Sequence, residues 1–206
     1  FFDGRRAAAI TTSDVRKFIA QRQAAAASNG EINRELSGLK RAFNLAVQDK
    51  KLLTKPYIPM LKESAPRSGF FEADQLKAVL SHLPEPLRPL VRFMYITGWR
   101  SRSEVLNLQW RHVDFEGRCV RLDPGTTKNG DGRVFPFTVE LKTLLEEQKA
   151  STDALRKEKG LICPWVFHRD GREIRSFKKA FKAACVKAGL PGRIPHDFRR
   201  TAVRNL

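Results

Sequence analysis

Residues 110–137, WRHVDFEGRCVRLDPGTTKNGDGRVFPF, interrupt an otherwise helical pattern and decide the class of fold. Residues 110–122 and 133–137 are short runs with Val, Phe, Cys and Leu at intervals, the composition of a pleated, half-buried surface. Between them lies Asn129-Gly130-Asp131-Gly132. Asn-Gly and Asp-Gly tolerate the positive φ of a tight reversal, so the runs are read as an antiparallel strand pair. On both sides the apolar spacing returns to three or four residues. Upstream, Thr12 or Ser13 caps a helix to about residue 27, and Ser28-Asn29-Gly30 breaks it. A second helix over about 31–50 carries the stripe Ile32, Leu36, Leu39, Phe43 and Val47, with Asn33, Arg34, Lys40, Arg41 and Asn44 off it on a solvated face. Residues 54–69 hold Pro56, Pro59 and Pro66 and keep no period, which reads as a linker. Helices are then expected over 72–82, from Pro86 to Thr97-Gly98, and around Glu104, Val105 and Leu108. Downstream, Thr138 caps a helix to about 151, Trp165-Val166-Phe167 ends a strand, Asp170-Gly171 turns, 176–188 is a basic helix, and a last helix starts near His196. The expected fold is mainly α with a small antiparallel β-sheet (α+β): a helical region over 1–53, a linker over 54–69 and a larger mixed domain over 70–206.

Composition narrows the function. The 206 residues carry a formal net charge of +17. A protein so charged repels itself, and a polyanionic partner relieves the repulsion. The charge is uneven, with nine basic residues against the single acid Asp197 from Arg175 onward. No apolar run is long enough for a membrane span. Cys119, Cys163 and Cys185 are few, odd in number and widely spaced, which suits neither a disulfide framework nor a zinc site and points to a reducing cytosol. There is no P-loop, no metal-spaced His pair and no acidic cluster. His82, His112 and His168 are isolated and read as structural or surface residues. The residues left with chemical promise are basic: Arg100 after Thr97-Gly98-Trp99, Lys128 before the hairpin turn, and His196 and Arg199 three apart at a helix start. Guanidinium groups grip phosphate oxygens in a bidentate way, and a lysine can protonate a leaving alkoxide. On residue types alone, a phosphate site and a set of ordinary surface cations remain equal alternatives.

Three segments together resemble the tyrosine recombinases of the phage integrase family. Thr97-Gly98-Trp99-Arg100, continued by Ser103-Glu104-Val105-Leu106-Asn107-Leu108-Gln109-Trp110, is similar to the family's first-arginine box. Thr127-Lys128-Asn129-Gly130-Asp131-Gly132-Arg133-Val134-Phe135-Pro136 is similar to its lysine hairpin, and His196-Asp197-Phe198-Arg199-Arg200-Thr201 to its second box. Residues 32–46 look like the end of the family's helical core-binding domain, so residues 1–53 would be part of a DNA clamp. The resemblance implies that Arg100 and Arg199 bind the scissile phosphate, Lys128 acts as general acid, His196 assists at the nucleophile, and Glu104 orients the site. It implies no metal and no cofactor. It also implies double-stranded DNA as partner, with a homotetramer on DNA for a full-length parent, no membrane, and a bacterial or phage-encoded cytoplasmic protein. Backbone contacts to DNA are expected from Arg34, Lys40, Arg41, Arg175, Lys178, Lys179, Lys182 and Arg200.

The chain departs from the pattern twice. Glu104 follows Arg100 by four residues where the family's acid follows by three, and Arg102 is a weaker alternative for the arginine. The family's nucleophilic tyrosine lies beyond the second box, whereas the tyrosines here are Tyr57 and Tyr95. The expectation is a fragment of a DNA integrase that forms no phosphotyrosine bond. The alternatives are a non-catalytic DNA-binding protein on the same fold, and an RNA-binding protein with accidental motif matches.

Overall fold

The computed structural model describes residues 1–65, 69–125 and 130–205. The chain divides into two compact units, Phe1–Arg67 and Ser68–Leu206.

The first unit is a helical pair with an extended strap. Helix α1, Thr12–Ala24, starts one residue earlier in its cap than the sequence suggests: Thr11 takes the N-cap because Asp14 sits three residues on. The Asp14 amide donates to Thr11 Oγ1 (3.2 Å), and the Thr11 amide donates to the Asp14 carboxylate (2.9 Å), a reciprocal capping box. Arg5 also pairs with Asp14 at 3.0 Å, and these donors hold its carboxyl well below the usual carboxylate range. The break after α1 comes at Ala26, which is left-handed (φ 58°). Ser28 then caps helix α2, Asn29–Gln48, so Asn29 and Gly30 open that helix instead of ending the previous one. The stripe packs as its period implies: Ile32, Leu36 and Phe43 bury against Val15, Ile19 and Ile10.

Asn33 is not on a solvated face. It is 6% exposed, and its side chain grips the segment read as a linker. Its Nδ2 donates to the Leu61 carbonyl (2.8 Å) and the Glu63 carboxylate (2.7 Å), while its Oδ1 accepts from the Leu61 amide (2.8 Å). Ile58 is buried in the same core. Residues 54–65 therefore form no helix or strand, yet belong to the first unit's packing. The prolines explain the extended backbone, and side chains bond it instead of a neighbouring strand: Asn33 at Leu61, Asn29 at the Lys62 carbonyl and Thr12 at the Tyr57 amide.

The second unit begins with helix α3, Ala73–Ser81. A short 3-10 turn, Glu85–Leu87, leads into helix α4, Arg88–Thr97, which buries Leu90, Val91, Phe93 and Met94. The helix expected around Glu104 is a single π turn, Ser101–Val105. The run expected as one strand over 110–122 divides. Trp110–His112 is a 3-10 turn, β1 is Val113–Asp114 and β2 is Cys119–Leu122. The reversal between β1 and β2 is set by the Asp114 carboxylate, which accepts from the Gly117 amide (2.7 Å), and by a left-handed Arg118 (φ 51°). Strand β3, Arg133–Pro136, pairs antiparallel with β2 in the register Val120 opposite Phe135, giving the sheet order β1-β2-β3.

Helix α5, Val139–Lys159, runs two turns beyond the expected end at 151. Thr152, a weak helix former, is held there by burial: its hydroxyl donates to the Gln148 carbonyl (2.9 Å) and lies 2.9 Å from His168 Nε2. Strands β4, His168–Arg169, and β5, Arg172–Glu173, form a second hairpin around left-handed Asp170 and Gly171. Helices α6, Lys178–Lys187, and α7, Asp197–Asn205, complete the unit. Its core is rich in aromatic rings. Phe198 of α7 stacks on Phe71 at 4.5 Å and meets Phe181 and Tyr95 edge-on.

Two outcomes are expected. Asn33→Ala leaves the Leu61 amide without its acceptor and costs about 1–3 kcal/mol; amide exchange at Leu61 should speed up while exchange in α4 does not change. Burial pushes the His168 and His112 imidazoles below the ordinary value of 6.5. Above pH 6.5 both are neutral whether folded or unfolded, so their stabilisation is complete; below it the unfolded chain protonates first and stability falls. All three tryptophans lie in the second unit. Its fluorescence-detected unfolding midpoint should therefore drop as pH falls below 6.5, with a shallower slope in His168→Gln.

Candidate active site

The site is built where α4 ends against α7. Helix α4 stops at Gly98, whose left-handed backbone (φ 63°) caps it while its amide bonds to the Met94 carbonyl. A Cβ at Gly98 would lie 2.7 Å from the Ala202 Cβ and 3.5 Å from the Arg199 Cα. Only a residue without a side chain lets the chain pass so close to α7. Helix α7 is fixed in turn by buried Phe198 and by Thr201, whose hydroxyl accepts from the Phe71 amide (2.8 Å). Arg100, two residues past Gly98, thus emerges beside the first turn of α7. Arg100, His196 and Arg199 line one open cleft of about 530 Å³, together with Trp99, Ser101, Arg102, Ser103 and Pro195. Arg199 also donates to the Gly98 carbonyl at 3.4 Å.

Glu104 organises this cleft from below. Its side chain is fully buried, with 0% exposure. Oε1 accepts from the Arg100 guanidinium (2.8 Å), and Oε2 accepts from the Arg100 amide (2.8 Å). The π turn explains how an acid four residues away serves this purpose. The Val105 and Leu106 amides bond to the Arg100 and Ser101 carbonyls, five residues back, so the wider turn absorbs the extra residue and still returns Glu104 to Arg100. Arg102 reaches the same cleft and is exposed, but Glu104 ties down Arg100.

A further cation was not singled out in the sequence. Arg133, the first residue of β3, places Nη1 3.3 Å from Glu104 Oε2. The Arg199 guanidinium has its pKa lowered, first by partial burial and then by the charges of Arg100 and Arg133, with Glu104 opposing. The signal for Arg133 was available as a two-residue period. Arg133, Phe135 and Phe137 share one face of the strand, and Phe135 and Phe137 pack against the core, so the arginine points inward and needs a partner.

Lys128 lies outside the described residues; on either side of that stretch the Gly125 amide donates to the Gly130 carbonyl (2.7 Å). Tyr95, the tyrosine of the second unit, does not line the cleft and is half-buried edge-on to Phe198, and Tyr57 is exposed on the first unit. Arg200 borders a neighbouring depression with Phe70, Val203 and Arg204. Lys178, Lys179 and Lys182 stand exposed on α6. Arg175 is exposed in the loop before α6 and pairs with Glu173 at 2.6 Å. In the first unit, Arg34 and Arg41 are exposed on α2 two turns apart, hence on one side, while Lys40 is about 100° away. Among the described residues, no group of three or more His, Cys, Asp or Glu side chains converges as a metal site would. No described helix is long and apolar enough to cross a membrane.

The model of the phage integrase family matches residues 69–206, and the chain belongs to that family. Relatives include the integrase of Salmonella phage P22, 26% identical over 81% of this chain and 44% of its own length. The ICEBs1 integrase of Bacillus subtilis is 24% identical over 94% of this chain and 58% of its own. The chain spans about half the length of these two curated relatives. Tyrosine recombinase XerC of Anoxybacillus flavithermus is 23% identical over 96% of this chain and 69% of its own. Among solved structures, the Tn1549 transposon integrase in complex with circular intermediate DNA superposes with a TM-score of 0.75 at 18% identity, covering 98% of this chain and 74% of that one. A lambda integrase dimer bound to a core site gives 0.71 at 16% identity, covering 95% and 73%. The fold is thus that of the integrases, helical with small antiparallel sheets.

Gly98→Ala tests the architecture of the cleft. The substitution combines an unfavourable φ with overlap against Ala202, and should destabilise the second unit by on the order of 2–4 kcal/mol. Urea unfolding followed by tryptophan fluorescence measures the loss, and Gly4→Ala, left-handed in open space in the first unit, should leave that transition unchanged.

Proposed function

We propose that this chain is the DNA-engaging part of a tyrosine site-specific recombinase, acting in the breakage and rejoining of DNA strands. One observation carries the reading. Two arginines and a histidine from segments about a hundred residues apart line a single open cleft, and one of the arginines is held by a fully buried carboxylate. Surface cations without a common task would not need that support.

The chemistry follows from charge. A phosphodiester under attack gains negative charge on its non-bridging oxygens. Arg100 keeps part of its guanidinium free of Glu104, and Arg199 projects from α7 into the same space; together they can grip two such oxygens. Partial burial first, and then the neighbouring charges of Arg100 and Arg133, lower the pKa of Arg199, and a bound phosphate offsets the repulsion. His196, exposed at the mouth of the cleft, can bond to a phosphate oxygen or handle the nucleophile's proton. Lys128 is assigned by motif as the acid that protonates the departing 5′ oxygen. The phosphorus would be attacked by a tyrosine oxygen to give a 3′-phosphotyrosine.

Double-stranded DNA is the proposed substrate, gripped by phosphate contacts from Lys178, Lys179, Lys182, Arg175 and Arg200 in the second unit and from Arg34, Lys40 and Arg41 in the first. A full-length parent would assemble as a homotetramer on DNA; a lambda integrase tetramer bound to a Holliday junction has the same fold (TM-score 0.68). Three free, buried cysteines fit a cytoplasmic location. A second reading, DNA binding without chemistry, is favoured by one observation: Tyr95, the tyrosine of the second unit, packs edge-on to Phe198 and does not line the cleft.

The 206-residue chain should bind duplex DNA with steep salt dependence. Six or so phosphate contacts predict a loss of about a thousandfold in affinity between 50 and 200 mM salt, measured by fluorescence anisotropy. Incubated with a nicked suicide substrate, it should leave no covalent protein–DNA band on a denaturing gel. A covalent band abolished by Tyr57→Phe or Tyr95→Phe would relocate the nucleophile, and a salt-independent affinity would remove the electrostatic basis of the reading.

A further inference from the structure

Arg133 is the charged residue of the site that neither lines the cleft nor belongs to the motif positions assigned above. Its geometry is unusual for a strand residue. It opens an edge strand, on the face whose next members, Phe135 and Phe137, pack against the core. Its side chain is 31% exposed and reaches Glu104, 29 residues earlier in the chain. Glu104 is thereby shared: Oε1 faces Arg100, while Oε2 accepts from both the Arg100 amide and Arg133. The Arg100 guanidinium and amide hold one oxygen each but tie the carboxylate to a single segment of the chain, and Arg133 adds a donor from a second one. Bonded from two sides, it cannot turn without breaking a charge-assisted hydrogen bond.

Glu104 balances one guanidinium, but three surround it: Arg100, Arg133 and Arg199. The Arg133 charge is felt at Arg199, where it adds to the lowering of that group's pKa. The excess positive charge lies beside a cleft open to solvent, so an anion entering it is favoured by more than the arginines that line it.

We propose that Arg133 is a positioning residue of the phosphate site: it locks Glu104, and through it the Arg100 guanidinium, while its own charge raises the positive field at Arg199. This inference rests on reading the cleft as a phosphate site, and it ties that site to β3, the strand that follows Lys128 in the sequence. Arg133 is not assigned a contact with the phosphorus or the leaving group.

The test uses sulfate, whose charge is constant from pH 5 to 8, titrated into the 206-residue chain while the side-chain Nε–Hε signals of Arg100 and Arg199 are followed by NMR. In the unaltered protein both signals should move together on one binding curve. Arg133→Gln should weaken that curve about tenfold and change the Arg100 signal even without sulfate, because Glu104 is released. Arg133→Lys, which keeps the charge and one donor, should stay within about threefold of the unaltered protein. Should Arg133→Gln fail to fold, Arg133→His supplies a reversible charge in one folded protein. Relative to the unaltered chain, its sulfate affinity should be higher at pH 5.5 than at pH 8.

The outcomes separate the two claims. If sulfate moves neither signal in the unaltered chain, the phosphate reading of the cleft fails. If sulfate binds and Arg199→Gln abolishes binding, but Arg133→Gln binds like the unaltered protein, the reading stands and the role of Arg133 is overturned. It is equally overturned if Arg133→Lys is as impaired as Arg133→Gln, or if Arg133→His shows no pH dependence beyond that of the unaltered chain.

Discussion

The second unit turns on the close passage of Gly98 over helix α7. A helix that must stop abruptly needs a left-handed residue, and glycine adopts that conformation at least cost. Here the same residue also meets a packing constraint, because a Cβ would collide with Ala202. The two demands coincide at one position, and the consequence is spatial. The chain leaves α4 in contact with the first turn of α7, so Arg100 and Arg199 share a cleft. Phe198, stacked on Phe71 and buried between His196 and Arg199 in sequence, fixes the rotation of α7 and with it the direction in which Arg199 points.

Holding cations together is the second constraint. Guanidinium groups resist deprotonation, so the repulsion among Arg100, Arg133 and Arg199 cannot be escaped by losing a proton. The structure offsets it with one carboxylate placed where solvent does not screen it. Glu104 is expensive to bury alone and is stable only because three donors satisfy it. The π turn is the local device that makes this possible. It costs regular helical bonding over one turn and returns the acid to the arginine despite the additional residue between them.

The first unit is governed by a different balance. Its core is small, and helix α2 supplies Ile32, Leu36 and Phe43 to it. The strap over 54–65, which carries Pro56 and Pro59, pairs with no strand. Burying Asn33 against it exchanges a hydrated amide for three hydrogen bonds and fixes the register of the strap on the helix. This leaves Arg34 and Arg41 exposed on α2.

The sequence by itself determined whatever depends on near neighbours along the chain. The period of α2, the glycine that ends α4, the Thr138 cap and the turn-forming Asp170-Gly171 could all be read from a few adjacent residues, and with them the mainly helical class with its small sheet. The ordered motifs also brought Arg100, His196 and Arg199 into one hypothesis before any geometry was known. Tertiary structure alone decided the rest. Asn33 looked solvated because the strap that buries it is almost thirty residues away. Helix α5 outran its expected end because Thr152 finds His168 across the fold. Glu104 looked misplaced until a π turn brought it back, and Arg133 went unremarked although its strand register pointed it inward. In each case the deciding energy is a hydrogen bond or ion pair to a group outside the local window, and such pairings leave no periodic trace in the sequence.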